Sequence, residues 1–122
     1  MNILELLGIN VTKVTSTEAI VTVNVTKQLQ QPYGLMHGGM NALLAETAAS
    51  LGANAILPEN QVAVGVDVQT HHLRPVSQGI LTAKATPIKV GREIQVWECT
   101  IFLEETGQKT SFSTITLKSQ SI

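Results

Sequence analysis

The stretch HGGMNALLAETAASLGANAIL, residues 37–57, decides the fold. Two glycines open it, Pro58 follows its last residue and no proline interrupts it, which predicts one long helix. Met40, Leu43, Leu44, Thr47, Ala48, Leu51 and Ala55 recur at helical spacing on one stripe. Ala42, Glu46, Ala49, Ser50 and Ala53 make a second stripe that is nearly all small, and Glu46 is the only ionisable side chain on the helix. The segment is long and apolar enough to suggest a membrane span. Asn41, Glu46, Thr47, Ser50 and Asn54 are more polar groups than lipid tolerates, so a buried helix away from any membrane is expected.

Working outward, residues 26–36 form a polar loop with Pro32 and Gly34. Before it, residues 2–7 suit a short helix ended by Gly8, and residues 11–16 and 19–25 read as strands. In the second strand Val21, Val23 and Val25 alternate with Thr22 and Asn24, the mark of one buried face. After the helix come four strand-like runs, residues 62–74, 80–88, 92–104 and 108–118. Gly79, Gly91 and Gly107 punctuate them, so antiparallel neighbours joined by tight turns are expected. Strands, one helix, then a run of long strands describe a single α+β domain over residues 1–122, its twisted sheet curled around the helix.

Composition narrows the function. The chain is 43% hydrophobic and only 14% charged, which favours an oligomer. A net charge of −1 gives no general attraction to nucleic acid or an anionic membrane. Cys99 is the only cysteine, and the start MNILELLGIN has neither a basic segment nor a small-residue cleavage site. A reduced, cytoplasmic protein is expected.

Three groups of residues could carry chemistry. Glu46 is flanked at three and four residues by Ala42, Leu43, Ala49 and Ser50, so its carboxylate is expected to be partly desolvated, which suits a base or nucleophile. Ser50, one turn on, shares that face and could hold the carboxylate or a water, or simply bond its own backbone. At the helix start, His37, Gly38 and Gly39 leave amides open at the positive end of the helix dipole, half of an oxyanion hole, though glycine for chain geometry and histidine as a cap are the plainer readings. Gly38 and Glu46 are eight residues apart, about 12 Å along a helix, so one chain cannot aim both at one carbonyl. Two antiparallel helices can, which predicts a symmetric dimer with shared sites. Finally His71, His72 and Arg74 before Pro75, and Lys89 and Arg92 about Gly91, form two basic clusters at strand ends suited to phosphate groups.

The run from Gln31 through His37, Gly38 and Gly39, with Glu46 and Ser50 following, resembles the signature of hotdog thioesterases of the phenylacetate-degradation and Arthrobacter-type 4-hydroxybenzoyl-CoA thioesterase group. The likeness continues through Gly65, through His72, Leu73, Arg74 and Pro75, and through Lys89, Val90, Gly91, Arg92, Glu93 and Ile94. It implies the hotdog fold and hydrolysis of an acyl-CoA thioester. It also implies that the Gly38 amide polarises the carbonyl while Glu46 of the facing subunit acts as nucleophile or general base. Gln31 and His37 would place the carbonyl or the leaving thiolate, and Ser50, where some members carry threonine, would orient water. Gly65, His72 to Pro75 and Lys89 to Ile94 would bind coenzyme A. The assembly implied is a homotetramer of two dimers, with no metal and no cofactor beyond the coenzyme A of the substrate. Aromatic acyl groups are favoured, among them 1,4-dihydroxy-2-naphthoyl, hydroxybenzoyl and phenylacetyl. A medium-chain fatty acyl-CoA thioesterase and a non-catalytic acyl-CoA binding module are the alternatives. A hotdog dehydratase fits less well, because no matching pattern surrounds His37, His71 or His72.

Overall fold

A computed structural model describes residues 1–122. The elements are α1 (Ile3–Leu7), β1 (Ile9–Val14), β2 (Ala19–Asn24), a 3-10 turn (Lys27–Leu29), α2 (Gly39–Ile56), β3 (Gln61–His72), β4 (Ile80–Val90), β5 (Ile94–Leu103) and β6 (Lys109–Ser121). Asn2 caps α1 by accepting the Glu5 N–H at 3.0 Å, and Gly8 ends it in the left-handed conformation, φ 73°. The six strands make one antiparallel sheet in the order β1-β2-β4-β5-β6-β3.

This order corrects one expectation. The β4–β5 and β5–β6 connections are hairpins, but β3 does not pair with β4. It pairs with β6 at the far edge, and residues 73–79 cross the end of the sheet to reach β4. Gly79, at φ 102°, sits in that crossover rather than in a tight hairpin turn. Its amide neighbours are spoken for: the Gly79 carbonyl accepts the Val25 N–H at 2.9 Å, and the Val76 carbonyl accepts the Met36 N–H at 2.7 Å. The crossover is thereby fastened to the loop that precedes α2.

The sheet curls around α2, as the sequence pattern predicts. Val21 and Val23 are fully buried on its inner face with Leu81, Ala83, Ala85, Trp97, Cys99, Ile101, Ile115 and Leu117. The face that α2 turns to them differs from the expected stripe. Its buried residues are Met40, Asn41, Leu44, Ala45, Ala48, Ala49, Gly52 and Ala53, whereas Leu43, Thr47 and Leu51 are half-buried and Ala55 is exposed. The small residues explain the shift. A tightly curled sheet needs its filling helix to be slim, and the Trp97 ring lies where a Gly52 side chain would begin. Ala49 and Ala53 therefore serve the sheet and are not left free for a second helix; Ala42, Glu46 and Ser50 remain at the half-buried margin. No helix is long and apolar enough to cross a membrane.

Burial also fixes the state of the one thiol. Desolvation pushes Cys99 from 9.0 up to about 12. The folded chain thus holds a proton that the unfolded chain has released between about pH 9 and 12, so this group's contribution to stability is complete below that window and declines as pH rises through it. Cys99 is accordingly expected to stay silent toward a disulfide thiol reagent at pH 8 until denaturant unfolds the protein. Rapid labelling of the native protein would contradict the buried placement.

Candidate active site

The loop before α2 is built by local hydrogen bonds. Gln31 opens a turn in which its N–H donates to the Leu35 carbonyl at 2.7 Å and its carbonyl accepts the Gly34 N–H at 3.1 Å. Gly34 lies at φ 84°, a conformation that glycine takes without strain. The side-chain Oε1 of Gln31 accepts the Tyr33 N–H at 3.2 Å, which leaves the Nε2 hydrogens unspent. The His37 N–H then donates to the Leu29 carbonyl at 2.8 Å and sets the entry to the helix.

At that entry the two glycines have different roles. His37 Nδ1 accepts the Gly39 N–H at 2.8 Å, so His37 is a helix cap and the Gly39 amide is occupied. The Gly38 N–H makes no hydrogen bond within the chain. An unpaired amide at a helix N-terminus is a ready donor to an oxygen that gains charge. A side chain on Gly38 would press on the His72 imidazole, with Cε1 and Nε2 at 3.0 and 3.1 Å from its first carbon, so glycine there lets that ring lie close without being displaced.

Gln31, Gly38, Asn41, His72, Leu73, Arg74 and Pro75 line one cleft of about 310 Å³. The end of β3 brings the last four there, and the Thr110 carbonyl holds them by accepting the N–H groups of Leu73 and Arg74 at 2.9 and 3.2 Å. Leu35, Met36 and Val76 complete the lining, and Asn41 is the polar member that the sequence reading missed. Its only signal is polarity in the first turn of an apolar helix, and that polarity counted there merely against a membrane span.

Glu46 and Ser50 are not in this cleft. Glu46 is half-buried, and its carboxylate packs over the α-carbon of Gly65 on β3, an edge strand. Asn54 ties this part of α2 to β3: its Oδ1 accepts the Ala63 N–H at 2.9 Å, while its Nδ2 donates to the Ser50 carbonyl one turn back in the helix at 2.7 Å. The Thr47 hydroxyl bonds back to the Leu43 carbonyl at 2.7 Å, while the Ser50 hydroxyl forms no such bond. Gly65, grouped by sequence with the coenzyme A contacts, is thus the floor beneath the Glu46 carboxylate.

The second basic cluster lies elsewhere again. Lys89, Val90, Gly91, Arg92, Glu93 and Ile94 form the β4–β5 turn, closed by the Gly91 N–H to the Ile94 carbonyl at 2.8 Å and tied to β6 where the Ser119 N–H donates to the Glu93 carbonyl at 2.8 Å. Strand register shows the separation. Ile94 is level with Lys118 and hence with Val64, whereas His72 is level with Ser111. Val64 and His72 are eight residues apart on β3, roughly 25 Å. Within one chain the two basic clusters cannot flank the same phosphate group. A separate depression of about 470 Å³, lined by Lys84, Glu98, Thr100 and Lys109 among others, is on the outer face of the sheet, remote from Gly38 and Glu46.

A long helix filling a curled antiparallel sheet, with an open amide at its start and a lone carboxylate on its margin, defines a hotdog-fold thioesterase. Residues 33–110 match the thioesterase superfamily, and the chain belongs to it. It is 35% identical over 117 residues to a 1,4-dihydroxy-2-naphthoyl-CoA hydrolase of Listeria monocytogenes, an alignment spanning 96% of this chain and 94% of that one. It is 36% identical over 103 residues to a proofreading thioesterase of Cronobacter turicensis, spanning 84% and 75% of the two chains. The crystal structure of a thioesterase from Haemophilus influenzae superposes with a TM-score of 0.91 at 39% identity, covering 97% of this chain and 82% of that one.

Proposed function

We propose that this protein hydrolyses the thioester of an aromatic acyl-CoA such as 1,4-dihydroxy-2-naphthoyl-CoA, hydroxybenzoyl-CoA or phenylacetyl-CoA, in the cytoplasm. The observation that carries the reading is the division of labour at the helix start, where the Gly39 amide is capped and the Gly38 amide is left open at a cleft. In that reading the thioester carbonyl accepts a hydrogen bond from Gly38, Gln31 steadies it, and Glu46 of a partner subunit attacks it or removes a proton from the attacking water, with Ser50 orienting that water. Arg74 and the residues about it receive one end of coenzyme A, and Lys89 to Ile94 of another subunit receive a phosphate. No metal or added cofactor takes part. The relative named as a 1,4-dihydroxy-2-naphthoyl-CoA hydrolase, which aligns over nearly its whole length, supports the aromatic choice.

A shared site requires a dimer, which pairs further into a tetramer. Edge strand β3 supports this reading, because it exposes Val64 and Val66 beside an unpaired run of backbone. The experiment for the function is thiol release from a panel of aromatic and aliphatic acyl-CoA thioesters. Turnover of an aromatic substrate above all others sustains the proposal; a preference for medium chains moves it to fatty acyl-CoA, and tight binding without hydrolysis makes the protein a binding module. The dimer has its own test. Two inactive variants, Glu46→Ala and Gln31→Ala, are expected to regain about a quarter of wild-type activity after subunit exchange, because random mixing makes half the dimers mixed and each of those holds one intact site. No recovery on mixing would place both residues in a site within one chain.

A further inference from the structure

The polar economy of the core is uneven in one place. Asn41 Oδ1 and Ser111 Oγ are the two buried side-chain polar atoms without a hydrogen-bond partner, and both belong to residues that flank His72. Ser111 is its cross-strand neighbour on β6, and Asn41 Nδ2 lies 3.0 Å from its Nδ1. Asn41 is only 4% exposed. A leucine in the same first turn of α2 would spare the chain a buried carbonyl oxygen with nothing to bond, so what the asparagine uniquely provides is an amide head set against the His72 Nδ1.

The orientation of that head determines what the ring can do. A neutral imidazole carries one N–H, and the nitrogen that accepts a bond is the bare one. With Nδ1 accepting from Asn41, the hydrogen is on Nε2, the ring atom 3.1 Å from where a Gly38 side chain would begin. We propose that Asn41 is a positioning residue: it fixes His72 as the Nε2–H tautomer beside the open Gly38 amide, so that the cleft presents a side-chain donor next to the backbone donor. The proposal rests on the thioesterase reading above and adds to it a residue that acts through the His72 ring. If the amide faced the other way, Oδ1 would take the Nδ1 hydrogen and Nε2 would become an acceptor that repels a carbonyl oxygen.

Ring nitrogen NMR of the protein labelled in its three histidines, assigned with His71→Gln and His72→Gln, tests this without any substrate. In the wild type at alkaline pH, His72 is expected as one tautomer with hydrogen on Nε2, and in Asn41→Leu the other tautomer should become populated. A wild-type ring with hydrogen on Nδ1, or a ring whose tautomer ignores Asn41→Leu and Asn41→Ala alike, overturns the proposal even if one of those variants folds poorly. In thiol release, Asn41→Leu should lower kcat of the order of tenfold, less than the 10²–10³ typical of deleting such a donor outright, with KM within about twofold and the thermal midpoint kept or raised. Because Asn41 acts through His72, adding Asn41→Leu to His72→Gln should cost nothing further. Additive losses, or a fall in kcat matched by a fall in thermal stability, mean that Asn41 is structural. If the wild type hydrolyses no thioester at all, the functional reading falls and the NMR result still decides the tautomer.

Discussion

Glu46→Gln is expected to lower kcat for the best thioester substrate by at least about a hundredfold while the unfolding midpoint stays within a few degrees, since losing a positioned base or nucleophile costs 10²–10⁴. Glutamine matches glutamate in size and keeps a hydrogen-bonding head, so packing over Gly65 survives and only the charge and the basic lone pairs go. The stability expectation follows from Glu46 lying at the half-buried margin of α2 rather than on the face that meets the sheet. Thiol release and thermal unfolding on the same sample separate the two effects. Near wild-type turnover by the glutamine variant would end the case for Glu46 as the reacting group and leave the Gly38 cleft as a binding feature.

How far the sequence alone leads depends on whether a feature is local. The limits of α2 were legible because Gly38, Gly39 and Pro58 are local signals, and the inner face of β2 was legible because Val21, Val23 and Val25 alternate. The partner of β3 was not, because pairing across a sheet is set by which edges meet in space. The connection over residues 73–79 did carry a hint, being longer than a tight hairpin loop. The face of α2 was misread for a related reason. Hydropathy ranks Leu43 and Leu51 above Gly52 and Ala53, but a curled sheet selects by size, and Trp97 needs the room above Gly52. At the site, Gln31, Gly38 and the His72–Pro75 run were all named from sequence, whereas their meeting in one cleft, and the membership of Asn41, depend on the crossover being fastened to the loop before α2.

Gly65 offers a sharper test of the geometry than Glu46 itself. No positive φ is required there, so the backbone accepts alanine without strain. The one obstacle is space already taken, because the methyl carbon would fall where the Glu46 carboxylate rests. A carboxylate at the end of a flexible side chain can swing aside at little cost, so Gly65→Ala should fold and melt nearly as the wild type does, with its oligomeric state, checked on the same sample, unchanged. Activity should behave otherwise. A displacement of about 1 Å at a reacting group can cost on the order of a hundredfold, and a methyl group moves the carboxylate by more than that. The variant is therefore expected to lose about as much kcat as Glu46→Gln, with acyl-CoA affinity little changed because the Gly38 cleft and the basic clusters are untouched. Turnover within threefold of wild type would show that the seat of Glu46 on Gly65 is not the position from which it reacts.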